Sequence, residues 1–100
     1  MDRRIVWSSP ASTDLIEVTE FIARDSRVHA SGFARKVLGT ARSLRRRAER
    51  GRRVPEFDDA TIREVLVGNY RLIYRIESDR VAIVAFIHGA RQLERLSSRF

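Results

Sequence analysis

The sequence predicts an α+β fold in one domain spanning residues 1–100. An N-terminal strand should be followed by an antiparallel helix hairpin that packs on one face of a mainly antiparallel sheet. Three observations predict this. Two apolar stripes at helical period fill the stretch between Pro10 and Pro55. After Pro55 the period changes, giving three β-rich runs. Gly68-Asn69 separates the first two runs by the two residues of a tight hairpin.

Taken in order, Ile5-Val6-Trp7 is a short strand of β-branched and aromatic residues. Ser9-Pro10 reads as a helix start, with Ser9 as N-cap and Pro10 at the first helical position. Ala11, Leu15, Val18 and Ile22 then form one stripe, with Phe21 beside it, so the first helix should run from about residue 10 to 25. The pattern breaks around Asp25-Ser26-Arg27. A second stripe follows in Phe33, Val37, Ala41, Leu44 and Ala48, and Gly51 should end that helix as a left-handed C-cap. The short break between the stripes implies an antiparallel pair. Gly32 and Gly39, inside the second stripe, suit either close approach of another element or simple tolerance.

Thr61–Val67, Tyr70–Ile76 and Val81–His88 are the three strand runs, with Ser78-Asp79 as the second turn. These turns set a register: Val67 opposite Tyr70, Val65 opposite Leu72, Ile76 opposite Val81, Tyr74 opposite Ile83, and Leu72 opposite Ala85. One face then holds Val65, Val67, Tyr70, Leu72, Tyr74, Ile76, Val81, Ile83, Ala85 and Ile87, and should lie under the helices. The other face holds Glu64, Leu66, Arg71, Ile73, Arg75, Val84, Phe86 and His88, and should face solvent. On that placement Arg71→Ala should cost under ~1 kcal/mol. Leu15→Ala or Val37→Ala should cost about 2–4 kcal/mol through cavity formation.

Composition bounds the function. The chain has no cysteine and only two histidines, His29 and His88, so disulfides, thiol chemistry and a zinc site are not expected. The longest apolar run, Val81–Ile87, is far short of a membrane span, and no apolar stretch follows the charged first residues. A small cytoplasmic protein without a membrane partner is the expectation. No P-loop, Gly-rich dinucleotide fingerprint or nucleophile elbow is present, and no cofactor is expected. The formal net charge is +7, and residues 35–53 carry all of the excess, with nine basic side chains against Glu49 alone. Such a segment attracts nucleic acid, an acidic protein surface or anionic lipid, and it equally suits a solvated helix face.

The remaining chemistry gathers on the second sheet face. Arg71, Arg75 and His88 fall there, with Glu64 diagonal to both arginines and Arg91 just past the last strand. Arginines beside a histidine can grip a phosphate and leave a proton-transfer group nearby. The same residues also suit a structural ion-pair network in which Glu64 neutralises the arginines.

Trp7, Ala11, Asp14-Leu15 and Phe21-Ile22-Ala23-Arg24 resemble the opening of the RelE/ParE toxins of type II toxin–antitoxin modules. Gly51-Arg52-Arg53-Val54-Pro55-Glu56 does so too. The strongest likeness is in Ile62-Arg63-Glu64-Val65, Gly68-Asn69-Tyr70-Arg71-Leu72-Ile73-Tyr74-Arg75 and His88-Gly89-Ala90-Arg91. The resemblance spans residues 5 to 93 and implies a helix hairpin on a mainly antiparallel sheet. It also implies a cognate antitoxin as partner, in an oligomer with it, and one of two targets. ParE-like members inhibit DNA gyrase without nuclease chemistry; RelE-like members cut mRNA on the ribosome.

Arg71 and Arg91 match the two arginine positions of the RelE pattern, and His88 could serve as acid, so a nuclease would use Arg71, His88 and Arg91. The preceding strand departs from that pattern. It carries Glu64, Val65 and Leu66 where lysines are expected, with Arg63 displaced toward its start, and no tyrosine follows Arg91. These departures favour the ParE branch, a gyrase inhibitor that is not an enzyme. Arg63, Glu64, Arg71, Arg75, His88 and Arg91 are then the residues expected to bind target or antitoxin. The ribosome-dependent endonuclease is the alternative, and a relative that has lost toxicity but still binds is a third.

Overall fold

The structure is a computed structural model, and it describes residues 2–90 and 93–100. Strand β1 (Arg4–Trp7) leads into helix α1 (Ser9–Ala23) and helix α2 (Arg27–Ser43). A 3₁₀ turn at Ala48–Arg50 precedes the short strand β2 (Arg52–Arg53). Strands β3 (Ile62–Val67), β4 (Tyr70–Ile76) and β5 (Arg80–His88) follow, then a 3₁₀ segment at Leu93–Arg99. The five strands form one sheet in the order β1-β5-β4-β3-β2. β1 runs parallel to β5, and the other pairs are antiparallel. This is the expected α+β arrangement of two helices on a mainly antiparallel sheet.

Both helices begin on serine caps. Ser8, one residue earlier than expected, accepts from the Ala11 N–H at 3.1 Å, and Ser26 accepts from the His29 N–H at 3.1 Å. α2 ends sooner than its apolar stripe suggests. Leu44 is its C-cap, and Ala48 reaches the core from the 3₁₀ turn. Gly51 is not a left-handed cap. Its backbone is extended (φ −73°, ψ 157°), and its glycine character serves close approach: a Cβ there would lie 2.5 Å from the Tyr74 hydroxyl and 2.6 Å from the Glu64 carbonyl oxygen. Gly32 and Gly39 have open space around them, so neither serves close approach within the chain.

The Gly68-Asn69 turn forms as expected, with positive φ (58°) confined to Gly68. It sets Val67 opposite Tyr70 and Val65 opposite Leu72. The second hairpin also starts in the expected register, with Ile76 opposite Val81 and Tyr74 opposite Ile83. A bulge then intervenes. Ile73 pairs with Ala85 and Leu72 with Phe86, which leaves Val84 as the extra residue. The groups freed there are used by distant side chains. The Phe86 N–H donates to Asp14 of α1 at 3.0 Å, and Arg99 donates to the Val84 carbonyl at 3.3 Å and to Asp14 at 2.7 Å.

The bulge exchanges the faces of the end of β5. Phe86 joins the core beneath the helices, with Val37, Leu44, Leu72, Tyr74, Val81 and Ile83. Ala85 and Ile87, expected under the helices, turn to the opposite face. That face is not open to solvent as expected. It carries a second core of Val54, Ile62, Ile73, Ala85, Ile87 and Leu93, on which Phe57, Leu96 and Phe100 pack. Covering both faces removes most of β4 and β5 from water, and this is why those strands are apolar on both sides. No helix among the described residues is long and apolar enough to cross a membrane.

Candidate functional site

Arg71 projects from β4 at the end of the sheet nearest the Gly68-Asn69 turn. Its side chain is buried, with 5% exposed. Glu64 on β3 is buried as well, at 1%. The Arg71 Nε–H donates to Glu64 Oε1 at 2.6 Å. Its two terminal nitrogens donate to Glu56 Oε2 at 2.9 Å and Oε1 at 2.8 Å, the bidentate fork that guanidinium geometry favours. The second oxygen of Glu64 accepts from the Nε–H of Arg52, at 2.5 Å from the β2 edge strand. Two arginines and two glutamates therefore form one charge-balanced cluster.

The cluster has clear electrostatic consequences. Hydrogen bonds from Arg71 hold the Glu56 carboxyl below the ordinary carboxylate range, against the opposing effect of its partial burial. The Glu56 and Glu64 carboxylates in turn strengthen the hold of Arg71 on its proton. The two carboxylates take three of the five Arg71 N–H groups, one on each nitrogen, and match its charge.

His88 does not share this face. The bulge turns it to the other side, where its ring stands edge-on to Tyr70 at 5.5 Å and its Nδ1 accepts from the Ala90 N–H at 3.3 Å. It is exposed, and it still lines the same open cleft as Arg71, Arg52, Glu56, Asn69 and Gly89, because the cleft wraps the sheet end. The other expected site residues lie elsewhere. Arg63 donates to the carbonyls of Ala60 (2.9 Å) and Gly51 (3.1 Å). Arg75 shares the face of Arg71 but lies beyond Ile73, and it donates to the Phe100 carbonyl at 3.3 Å rather than to Glu64. Arg91 lies outside the described residues.

The structure thus brings together Glu64 and Arg71 from the expected set and sets His88 at the rim of their cleft. It adds Glu56 and Arg52, which pattern reading did not place there. Glu56 lies 15 residues from Arg71 in a loop without strand or helix period, and only its place in the Gly51–Glu56 segment marked it.

Chains of known structure share this architecture. One belongs to the chromosomal ParDE toxin–antitoxin system of P. aeruginosa: TM-score 0.71, 13% identity, 86% of this chain and 95% of that chain covered. Another belongs to a RelBE toxin–antitoxin complex of Mycobacterium tuberculosis: TM-score 0.64, 23% identity, 88% and 99% covered. No curated protein sequence matches significantly. The model of the ParE toxin of type II toxin–antitoxin (parDE) systems matches residues 5–93, and the chain belongs to that family.

Proposed function

We propose that this toxin acts by inhibiting DNA gyrase, and so replication and growth, in the bacterial cytoplasm, and that a cognate antitoxin binds and neutralises it. One observation carries the choice of target: the pairing of Arg71 with two carboxylates, Glu56 and Glu64, inside the protein. RNA cleavage by side chains needs a base for the 2′-hydroxyl, an acid for the leaving oxygen and positive charge on the phosphorane. The Arg71 charge is already matched by two carboxylates. Both oxygens of Glu64 accept from arginine, so neither is set to receive a substrate proton. An arginine stays protonated at neutral pH. His88 alone cannot supply acid and base in one concerted step. A gyrase inhibitor needs none of these groups; it needs a shaped, charged surface.

The family match over residues 5–93 supports the ParE reading, and the likeness to chains of ParDE and RelBE complexes supports an antitoxin partner in an oligomer with the toxin. The placement of His88 and Arg71 on one cleft favours the second reading, a ribosome-dependent endonuclease that uses Arg71, His88 and Arg91. As binding residues for target or antitoxin we propose His88 and the remaining N–H groups of Arg71 at the cleft, with Glu64 positioning Arg71, Arg63 and Arg75 beyond it, and Arg91 on its sequence match alone. A supercoiling assay with purified gyrase and relaxed plasmid tests the main reading. Supercoiling should fall as toxin is added and recover with antitoxin. Unchanged supercoiling at toxin in large excess would overturn it.

A further inference from the structure

We propose that the segment from the end of α2 to β2 is a docking ridge for the phosphate backbone of duplex DNA. Every exposed position from Arg42 to Arg53, Glu49 excepted, is an arginine: Arg42, Arg45, Arg46, Arg47, Arg50, Arg52 and Arg53. Every apolar residue or glycine of that stretch, namely Leu44, Ala48 and Gly51, is buried. The fold therefore sorts the segment into an inner anchoring face and an outer face of nearly pure positive charge.

The anchors also give the ridge its length. The Arg3 N–H donates to the Arg45 carbonyl at 2.8 Å, which ties one end to β1. The buried Tyr74 hydroxyl of β4 donates to the Ala48 carbonyl at 2.6 Å and accepts from the Gly51 N–H at 3.0 Å, which fixes the middle. Arg52 pairs with Glu64 of β3 at the far end. The segment thus crosses the sheet from one edge strand to the other, four strand spacings or about 19 Å. That length matches about six base pairs of duplex. Acidic partners offset little of the charge. Asp2 reaches Arg45 (3.8 Å) and Arg46 (3.3 Å), Asp58 reaches Arg53 (3.4 Å), and all three pairs are solvent-exposed and weak. Glu64 balances Arg52, so the charge of the ridge rests on the other six arginines.

The chemistry of this face selects its partner. A protein interface is built around buried apolar or aromatic anchors, and the outer face of this ridge has none. Single-stranded nucleic acid is gripped through aromatic stacking platforms, and residues 42–53 contain no aromatic side chain. Duplex DNA needs only a rigid row of cations at phosphate spacing, and binding of that kind is independent of base sequence. The proposal stands apart from the choice of gyrase as target, since its test contains DNA alone.

The test is fluorescence anisotropy of the full chain with two labelled 20-bp duplexes of unrelated sequence, at 50–200 mM salt. Both should bind equally. With three to four phosphates neutralised, the slope of log K against log salt should be about −3, roughly a 60-fold loss of affinity across that range. The variant R45Q/R46Q/R47Q should flatten the slope to between 0 and about −1 and weaken binding at least tenfold at 50 mM salt. The control R24Q/R27Q/R35Q, which removes the same charge from exposed positions elsewhere, should change binding less than threefold, with circular dichroism confirming that both variants fold. Absence of duplex binding at 50 mM salt overturns the proposal. So does equal loss in both triple variants, which would make net charge the cause. Tighter binding of a 20-nucleotide single strand, or competition by polyglutamate as effective as by DNA, also overturns it.

Discussion

Arg71→Ala should be among the most destabilising single changes in this protein, although an arginine on a sheet face reads from sequence as dispensable. The substitution removes three charge-assisted hydrogen bonds, at 2.6, 2.8 and 2.9 Å. It leaves Glu64 fully buried with Arg52 as its one remaining charged partner. Removing one member of a buried ion pair typically costs about 3–5 kcal/mol, because the charge left behind is uncompensated. The lower end applies here. Glu56 is 31% exposed and can rehydrate, while Arg52 stays on Glu64. About 3 kcal/mol should lower the urea midpoint by about 2 M and Tm by roughly 12–24 °C. Arg52→Ala, whose side chain is 62% exposed, should cost under about 1 kcal/mol by comparison. The double replacement of Arg71 by Met and Glu64 by Leu should cost less than Arg71→Ala alone, since no buried charge is stranded. Urea unfolding followed by far-UV circular dichroism reads all three. A loss below about 1 kcal/mol for Arg71→Ala would refute the burial argument.

Other expectations follow from the same structure. Leu44→Ala, at a fully buried core position, should cost about 2–5 kcal/mol in the same unfolding assay. Gly51→Ala must displace both the Tyr74 hydroxyl and the backbone of Glu64, and should cost more than about 2 kcal/mol, whereas Gly39→Ala, with open space, should stabilise α2 by up to about 1 kcal/mol. Because Arg71 lowers the folded-state pKa of Glu56, the stabilising pair is fully present above the ordinary value of 4.5 and is lost as pH falls through the lowered one. The stability difference between the native chain and Glu56→Gln should therefore be widest above about pH 5 and close as pH falls below about 4. A difference constant from pH 7 to pH 3 would contradict the pairing.

Much of the fold is legible where a local signal and a burial pattern agree. The helix pair is read from two stripes and the Ser-Pro start of the first; the cap itself falls on Ser8 rather than Ser9, and the Ser26 cap lies where the sequence shows only a break in the pattern. The β3–β4 register follows from Gly68, whose positive φ makes a tight turn possible at one place only. The β4–β5 register is legible from its turn as far as Tyr74 opposite Ile83, and no further. Val81–Ile87 is apolar at every position, so nothing in it marks which residues face the helices. The bulge at Val84 is held by Asp14 and Arg99, side chains from the two ends of the chain that no local pattern connects to β5. His88 changes faces with that bulge, and Arg71 is buried because the segment beyond β5 and the loop before β3 cover its face. The ion pairing of Glu64 with Arg71 was visible as a diagonal pair across the hairpin; the matching role of Glu56 was not.

The central claim is that this toxin acts on gyrase and does not cut RNA. The most direct measurement induces it in bacteria without antitoxin, then maps mRNA 5′ ends and gyrase–DNA cleavage complexes in the same cells. The account predicts accumulated cleavage complexes and an unchanged pattern of mRNA ends. Codon-phased cuts in translated mRNA that vanish in His88→Ala, with no rise in gyrase complexes, would contradict it and establish the endonuclease.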